Sequence, residues 1–325
     1  MKKDLLGIRD LSKDDILQFL REATQQKPKI ADLTKRDDAL KGASVTTLFY
    51  ENSTRTKMSF LLAAEYMGAF GDDLNIATSA VNKGETLIDT GMTLDAMGTN
   101  AIVIRHGQTG AAHLLAKNVR ASVINGGDGS NEHPTQALLD MFTIQEHKGG
   151  FENLNVTIVG DIANSRVARS NIFGLTKLGA KVTLAGPSTL LNSNMRALGV
   201  DITTDVRAAV KNADVVMGLR IQLERHKAGN FPSLTEYAKF FGVTNEMLMD
   251  AKKDVLVMHP GPVNRGVELS TDVVDGERSV IYQQVANGLA VRMAVLHLLI
   301  EANEYPVTSR FFVPNYRKSE IAAAI

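Results

Sequence analysis

The chain has 325 residues and is 44% apolar, which on a rough prior of ~150 residues per domain supports two ordinary cores. Lysine and arginine total 36 and so do aspartate and glutamate, so the formal charge is zero and gives no global electrostatic case for a nucleic-acid partner. The absence of cysteine excludes disulfides, thiolate zinc sites and cysteine nucleophiles. The N-terminus, Met1 to Leu6, lacks the apolar run of a signal peptide, and no window approaches the ~18 consecutive apolar residues of a membrane span. The expectation is a cytoplasmic protein with no membrane partner.

In chain order, Asp10-Leu-Ser-Lys-Asp-Asp15 opens a first helix, with Ser12 as cap and Ile16, Phe19, Leu20 and Ala23 as its buried stripe. From residue 42 the pattern becomes strand, loop, helix, repeated. Strands are expected at Val45–Tyr50, Asp73–Ala77, Ala101–Arg105 and Ala121–Asn125, with helices at Met58–Met67 and Pro134–Glu146. Lys148-Gly149-Gly150 breaks the chain. The rhythm restarts with strands at Asn155–Gly160, Lys181–Ala185, Val215–Leu219 and Val255–Met258 and a helix at Ser165–Lys177.

Such alternation implies parallel strands joined by helical crossovers. The fold class expected is α/β, with two doubly wound parallel-sheet domains at residues 1–147 and 151–284. A long helix from about Ile281 to Asn303 carries a stripe of Val285, Leu289, Met293, Leu296 and Ile300. It is expected to pack back on the first domain, which residues 285–325 complete.

In open parallel sheets the ligand crevice lies beyond the carboxyl ends of the strands, so those loops carry the chemistry. After the first strand, Ser53, Thr54, Arg55 and Thr56 form a strand-to-helix turn. Unpaired helix amides, hydroxyls and a guanidinium fork suit a phosphate, although an N-cap beside a surface arginine has the same pattern. The glycines of a Walker A loop are absent. Arg105 ends a buried strand, where it can bind an anion, polarise a carbonyl or pair with a structural carboxylate. His133 precedes Pro134 at a helix start, with Gln136 one turn on. Lys83 beside Gly84 reads either as a cationic clamp or as a solvated lysine. Arg166 and Arg220 follow strands of the second domain. Gly160-Asp-Ile-Ala163 lacks the spaced glycines of a dinucleotide site.

Taken together, Ser53-Thr-Arg-Thr56, Arg105-His106, His133-Pro-Thr-Gln136 and His259-Pro-Gly-Pro262 resemble the carbamoyltransferase family from end to end. Lys83-Gly-Glu-Thr86 and Arg220-Ile-Gln222 resemble its aspartate-specific branch. The resemblance implies transfer of a carbamoyl group from carbamoyl phosphate to L-aspartate, in pyrimidine synthesis, without metal or organic cofactor. It implies that Ser53, Thr54, Arg55 and Thr56 hold the phosphate. Arg105, His133 and Thr56 would surround the carbonyl oxygen, and Gln136 with the backbone carbonyls of Gly261 and Pro262 would take the carbamoyl amine. Arg166, Arg220 and Gln222 would bind aspartate. Ser79 and Lys83 would reach in from a neighbouring subunit, making the chain at least a homotrimer, with further regulatory or pathway chains as candidate partners.

The sequence departs from the family pattern at Lys57, where many members carry arginine, and at Gly261, where some carry leucine. Two rival readings are an ornithine-specific carbamoyltransferase and a non-catalytic binding protein for an anionic metabolite. The ornithine-specific relatives carry His-Cys-Leu-Pro where this chain has His259-Pro-Gly-Pro262. The binding-protein reading leaves His133 and Lys83 without a purpose.

Overall fold

The computed structural model describes residues 2–221 and 233–303. Two parallel sheets organise them. The first contains β1 (Ser44–Phe49), β2 (Phe70–Leu74), β3 (Ala101–His106) and β4 (Ser122–Asp128), in the order β2-β1-β3-β4. The second contains β5 (Asn155–Val159), β6 (Lys181–Ala185), β7 (Asp201–Thr203), β8 (Val215–Gly218) and β9 (Leu256–Met258), in the order β7-β6-β5-β8-β9. Every pairing between these strands is parallel. In each sheet the strand order reverses beside its first strand, at β1/β3 and at β5/β8. A crevice opens at such a switch point because successive crossovers leave on opposite faces.

The helices that matter here are α1 (Lys13–Gln26), α2 (Thr54–Tyr66), α3 (Leu87–Ala96), α4 (Ala111–Ala116), α5 (Pro134–Lys148), α6 (Arg166–Lys177), α7 (Val206–Val210), α8 (Leu234–Phe241) and α9 (Ile281–Ala302). α1 starts as its sequence dictates: Ser12 accepts the Asp15 N–H while Asp15 accepts the Ser12 N–H. Strand residues alternate between two cores. Val45, Phe49 and Val103 face α1, α2, α5 and α9, while Leu48, Ile102 and Ile104 pack with Ala111, Ala112 and Leu115 of α4. The first of these cores continues without interruption into the second sheet through Val156, Ile158 and Met217.

Three expectations change, and one strand, β7, was not expected. The helix predicted from Met58 starts at Thr54, because Ser53 is extended and the polar first turn, Thr54 to Lys57, carries no apolar signal. The strand predicted at Asp73–Ala77 is Phe70–Leu74, and Ile76–Thr78 is a 3-10 turn capped by Asn75. β2 is an edge strand and tolerates the polar residues that hid it. β7, three residues long, is too short to show periodicity. Finally, α9 is not striped: Val285 is exposed, whereas residues 290 to 296 are all buried. Three helices, α1, α2 and α5, surround its C-terminal half, so every face there must be apolar.

An 18-residue window of α9 has mean hydropathy 1.5, so length and composition alone would let it cross a membrane, contrary to the sequence expectation. Here it is a core helix. Its buried Asn287 donates to Thr143 Oγ1 (2.9 Å), and its Ala290–Leu296 segment lies among protein side chains.

Phe19 of α1 is 1% exposed in this core and lies outside the cleft. Phe19→Ala is expected to cost about 3–5 kcal/mol in urea unfolding, with the kcat of the folded fraction retained.

Candidate active site

The C-terminal ends of the switch-point strands converge on one cleft of about 1110 Å³. That volume exceeds the few hundred Å³ that a single small ligand needs. Register explains the convergence. Phe49 pairs with Arg105 across β1 and β3, so the turn after β1 lies beside Arg105. Val159 pairs with Gly218 across β5 and β8, so the loops carrying Arg166 and Arg220 leave side by side. Ser53, Thr54, Arg55, Thr56, Arg105, His133, Gln136, Arg166, Arg220, Gly261 and Pro262 all line this cleft. Ser79 and Lys83 do not; they lie in a separate loop where Lys83 is exposed. Gln222, and the tail after Tyr305, fall outside the described residues.

At the start of α2 the Ser53 hydroxyl makes no cap bond, in contrast to Ser12, Thr86 and Ser165. The first-turn amides and the Arg55 guanidinium therefore face the cleft together. Burial lowers the Arg55 pKa and the like charge of Arg220 adds to that. Lys57 turns away to Asp73 (2.9 Å) and lies over the Phe49 ring. It takes no part in the cleft, which answers the departure at that position.

Glu51 sits between two guanidinium groups. Its Oε2 lies 3.0 Å from Arg166 Nη2 and 3.4 Å from Arg105 Nε. Arg166 also donates to the Gly129 carbonyl (3.3 Å) and Arg105 to the Gly126 carbonyl (3.5 Å). This carboxylate bridges the two sheets. The sequence reading gave it no role, though its place directly after β1 was the available signal.

His133 is the N-cap residue of α5, and its backbone N–H donates to Ser170 Oγ (2.9 Å). Its Nδ1 is buried with no hydrogen-bond partner among the described residues. Burial first, then Arg166, Arg105 and Arg292, holds its pKa well below the ordinary 6.5. It is therefore neutral at physiological pH and acts as a hydrogen-bonding group rather than a cation. Because the folded value lies below the unfolded one, protonation favours unfolding, so this contribution to stability is present above pH 6.5 and lost as pH falls. We expect kcat to show no His133 inflection between pH 6 and 8; an inflection near 6.5 that disappears in His133→Asn would contradict a neutral ring.

The segment after β9 is built from His259, Pro260, Gly261 and Pro262, with a cis peptide between Gly261 and Pro262. His259 Nδ1 accepts the Gly261 N–H (2.8 Å), and burial, Arg55 and Arg220 together take the ring down to about 3. Gly261 has φ +65°, and a Cβ there would sit 3.1 Å from Arg55 Cζ. Gly261→Ala is therefore expected to weaken phosphate binding several-fold, with a stability loss of about 1 kcal/mol, checked by titration calorimetry and thermal melting.

Two further buried groups escaped the sequence reading because neither lies in a strand-end loop. Arg292 of α9 lines the cleft over the Phe60 ring, and burial takes it down to about 10. Asp140 of α5 lies below the cleft floor.

The fold and the site define a class: a two-domain α/β protein whose cleft between the two sheets gathers several guanidinium groups and a neutral histidine. The comparisons make it specific. Residues 3–146 match the family model for the aspartate/ornithine carbamoyltransferase carbamoyl-P binding domain, and residues 152–299 match its Asp/Orn binding domain. The chain belongs to the aspartate/ornithine carbamoyltransferase family. It is 58% identical over 297 residues to an aspartate carbamoyltransferase catalytic subunit of Ruminiclostridium cellulolyticum, covering 91% of this chain and 95% of the relative. To that of Acetivibrio thermocellus it is 59% identical, with the same coverage. Among solved structures, aspartate transcarbamoylase from Trypanosoma cruzi in complex with carbamoyl phosphate superposes with TM-score 0.83 at 29% identity, covering 90% of this chain and 94% of that one. Ornithine carbamoyltransferase from Pyrococcus furiosus superposes with TM-score 0.80 at 32% identity, covering 92% and 97%.

Proposed function

We propose that this chain transfers the carbamoyl group of carbamoyl phosphate to the amine of L-aspartate, giving N-carbamoyl-L-aspartate and phosphate in pyrimidine biosynthesis. The observation that carries the reading is the convergence of Arg55, Arg105, His133, Gln136, Arg166 and Arg220 on one cleft. Arg55, Arg105, Arg166 and Arg220, with Arg265 and Arg292 also lining the cleft, make a cationic site in a protein of zero formal charge, which suits a substrate pair carrying one phosphate and two carboxylates.

The roles we propose are those the family resemblance implies, and the shared cleft supports them. Ser53, Thr54, Arg55 and Thr56 bind the phosphate at the start of α2. Arg105, Thr56 and His133 donate to the carbonyl oxygen, where negative charge grows as the amine attacks. Gln136 and the carbonyls of Gly261 and Pro262 receive the carbamoyl N–H groups. Arg166 and Arg220, with Gln222, bind the aspartate carboxylates. The aspartate nitrogen forms its bond to the carbamoyl carbon as the carbon–oxygen bond to phosphate breaks, and the amine proton leaves with the phosphate. The substrate's own amine is the nucleophile, so the atom balance requires neither a covalent enzyme intermediate nor a cofactor. The protein supplies position and charge.

Ser79 and Lys83 are proposed to complete the cleft of a neighbouring copy. Their loop lies away from this chain's own cleft, which is consistent with sites shared between copies; the assembly we propose is a homotrimer in the cytoplasm.

The decisive experiment is a turnover assay with carbamoyl phosphate and either L-aspartate or L-ornithine. Aspartate is expected to be carbamoylated and ornithine not, since its ammonium side chain would meet Arg220. Turnover with ornithine alone would overturn the assignment. Arg55→Ala is expected to lose at least tenfold in carbamoyl phosphate affinity while keeping the wild-type melting temperature.

A further inference from the structure

We propose that Asp140 is a positioning residue of the carbamoyl subsite: it holds the Gln136 amide with its oxygen toward the cleft, and so selects an acyl phosphate that carries an N–H donor. The inference deepens the proposed function, because it rests on carbamoyl phosphate occupying that subsite.

Asp140 lies one turn beyond Gln136 on α5 and is 0% exposed. Its Oδ1 accepts from Gln136 Nε2 (2.9 Å) and from Gln284 Nε2 (2.8 Å). Its Oδ2 accepts from Asn171 Nδ2 (2.7 Å). Three helices, α5, α6 and α9, thus each present an amide to one carboxylate. An ionised carboxylate has acceptors only, so each amide must turn its NH2 group inward and its oxygen away. Gln136 borders the cleft, so its oxygen is what it offers there. The Gln284 oxygen accepts the His259 N–H (2.9 Å), which anchors the segment carrying Gly261 and Pro262. One buried charge therefore fixes both an acceptor side chain and the segment whose two carbonyls are proposed to accept beside it. Burial raises Asp140 to about 6 against the opposing pull of the three amides and Arg292, which leaves it mostly ionised at pH 7.

The consequence is selectivity between ligands of one shape. Acetyl phosphate fills the same volume as carbamoyl phosphate but presents a methyl group where the other has an amine. Acceptors facing a methyl are left unpaired, and a site built to receive N–H groups rejects such an analogue.

Asp140→Asn keeps the volume but removes the charge, and its NH2 can face Gln136 and Gln284 in place of Oδ1, which would free Gln136 to flip. Calorimetry on the full-length protein would compare carbamoyl phosphate, acetyl phosphate and inorganic phosphate. Carbamoyl phosphate is expected to bind about tenfold more weakly to Asp140→Asn, with the other two within about twofold. Gln136→Leu should show the same loss, and the double variant no more than Gln136→Leu alone.

An equal loss for all three ligands, no loss for any, or additivity in the double variant would each overturn the proposal. If Asp140→Asn does not fold, the unsubstituted protein still decides it. With 13C-labelled glutamine carbonyls, assigned through Gln136→Leu, the Gln136 resonance should shift with carbamoyl phosphate and not with acetyl phosphate, and equal shifts would overturn it. Failure of the unsubstituted protein to bind carbamoyl phosphate would overturn the function itself. That result is distinct from binding that is indifferent to Asp140.

Discussion

Arg105→Ala is expected to lower kcat by about a hundred- to a thousandfold, with the melting temperature close to that of the unsubstituted protein. The side chain leaves the end of β3 and reaches the cleft floor, where its contacts are Glu51 and the Gly126 carbonyl. In the proposed reaction it faces an oxygen that gains negative charge as the tetrahedral carbon forms. A donor fixed beforehand stabilises that charge more than it stabilises the uncharged carbonyl, so its loss falls on kcat rather than on KM. Steady-state kinetics would separate the two. A variant that lost only affinity would assign Arg105 to ground-state binding, and one that turned over normally would remove it from the site. The fold should tolerate the change, because Glu51 keeps Arg166 as a partner at 3.0 Å.

Arg166→Ala is expected to raise KM for L-aspartate by about thirtyfold or more, while binding of carbamoyl phosphate in the absence of aspartate changes less than threefold. Arg166 is 5% exposed, and its guanidinium already holds the Gly129 carbonyl and Glu51 across the junction of the two sheets. Removing it takes away the partner proposed for one aspartate carboxylate and loosens the contact between the sheets. The two consequences can be told apart. Glu51→Gln should loosen the junction while leaving the guanidinium in place, so its aspartate KM should rise much less. If the two variants behaved alike, Arg166 would act through the junction rather than by touching substrate.

Much of the site could be read in advance because of where parallel sheets put their loops. Ser53 to Thr56, Arg105, Arg166 and Arg220 stand at the ends of buried strands or in the turns that follow them, and each of these residues lines the cleft. Arg55, His133, Gln136 and Gly261 lay within short motifs that the family resemblance singled out. The residues that were missed share the opposite property. Asp140 and Arg292 sit mid-helix in α5 and α9, and Gln284 in the first turn of α9. A polar residue on a helix looks the same in sequence whether it faces water or three amides. Glu51 stood in plain view after β1, but its role depends on two arginines from other strands.

Sequence by itself determined the α/β alternation, the strand-end loops and the chemical identity of the groups they carry. Those features follow from local periodicity and from the short-range preferences of each turn. Only the tertiary structure decided that the loops of both sheets open onto one cleft, that His133 is neutral there, and that α9 is enclosed rather than laid on a surface. Each of these depends on burial or on charges brought together from separate elements of the chain, where local periodicity carries no information.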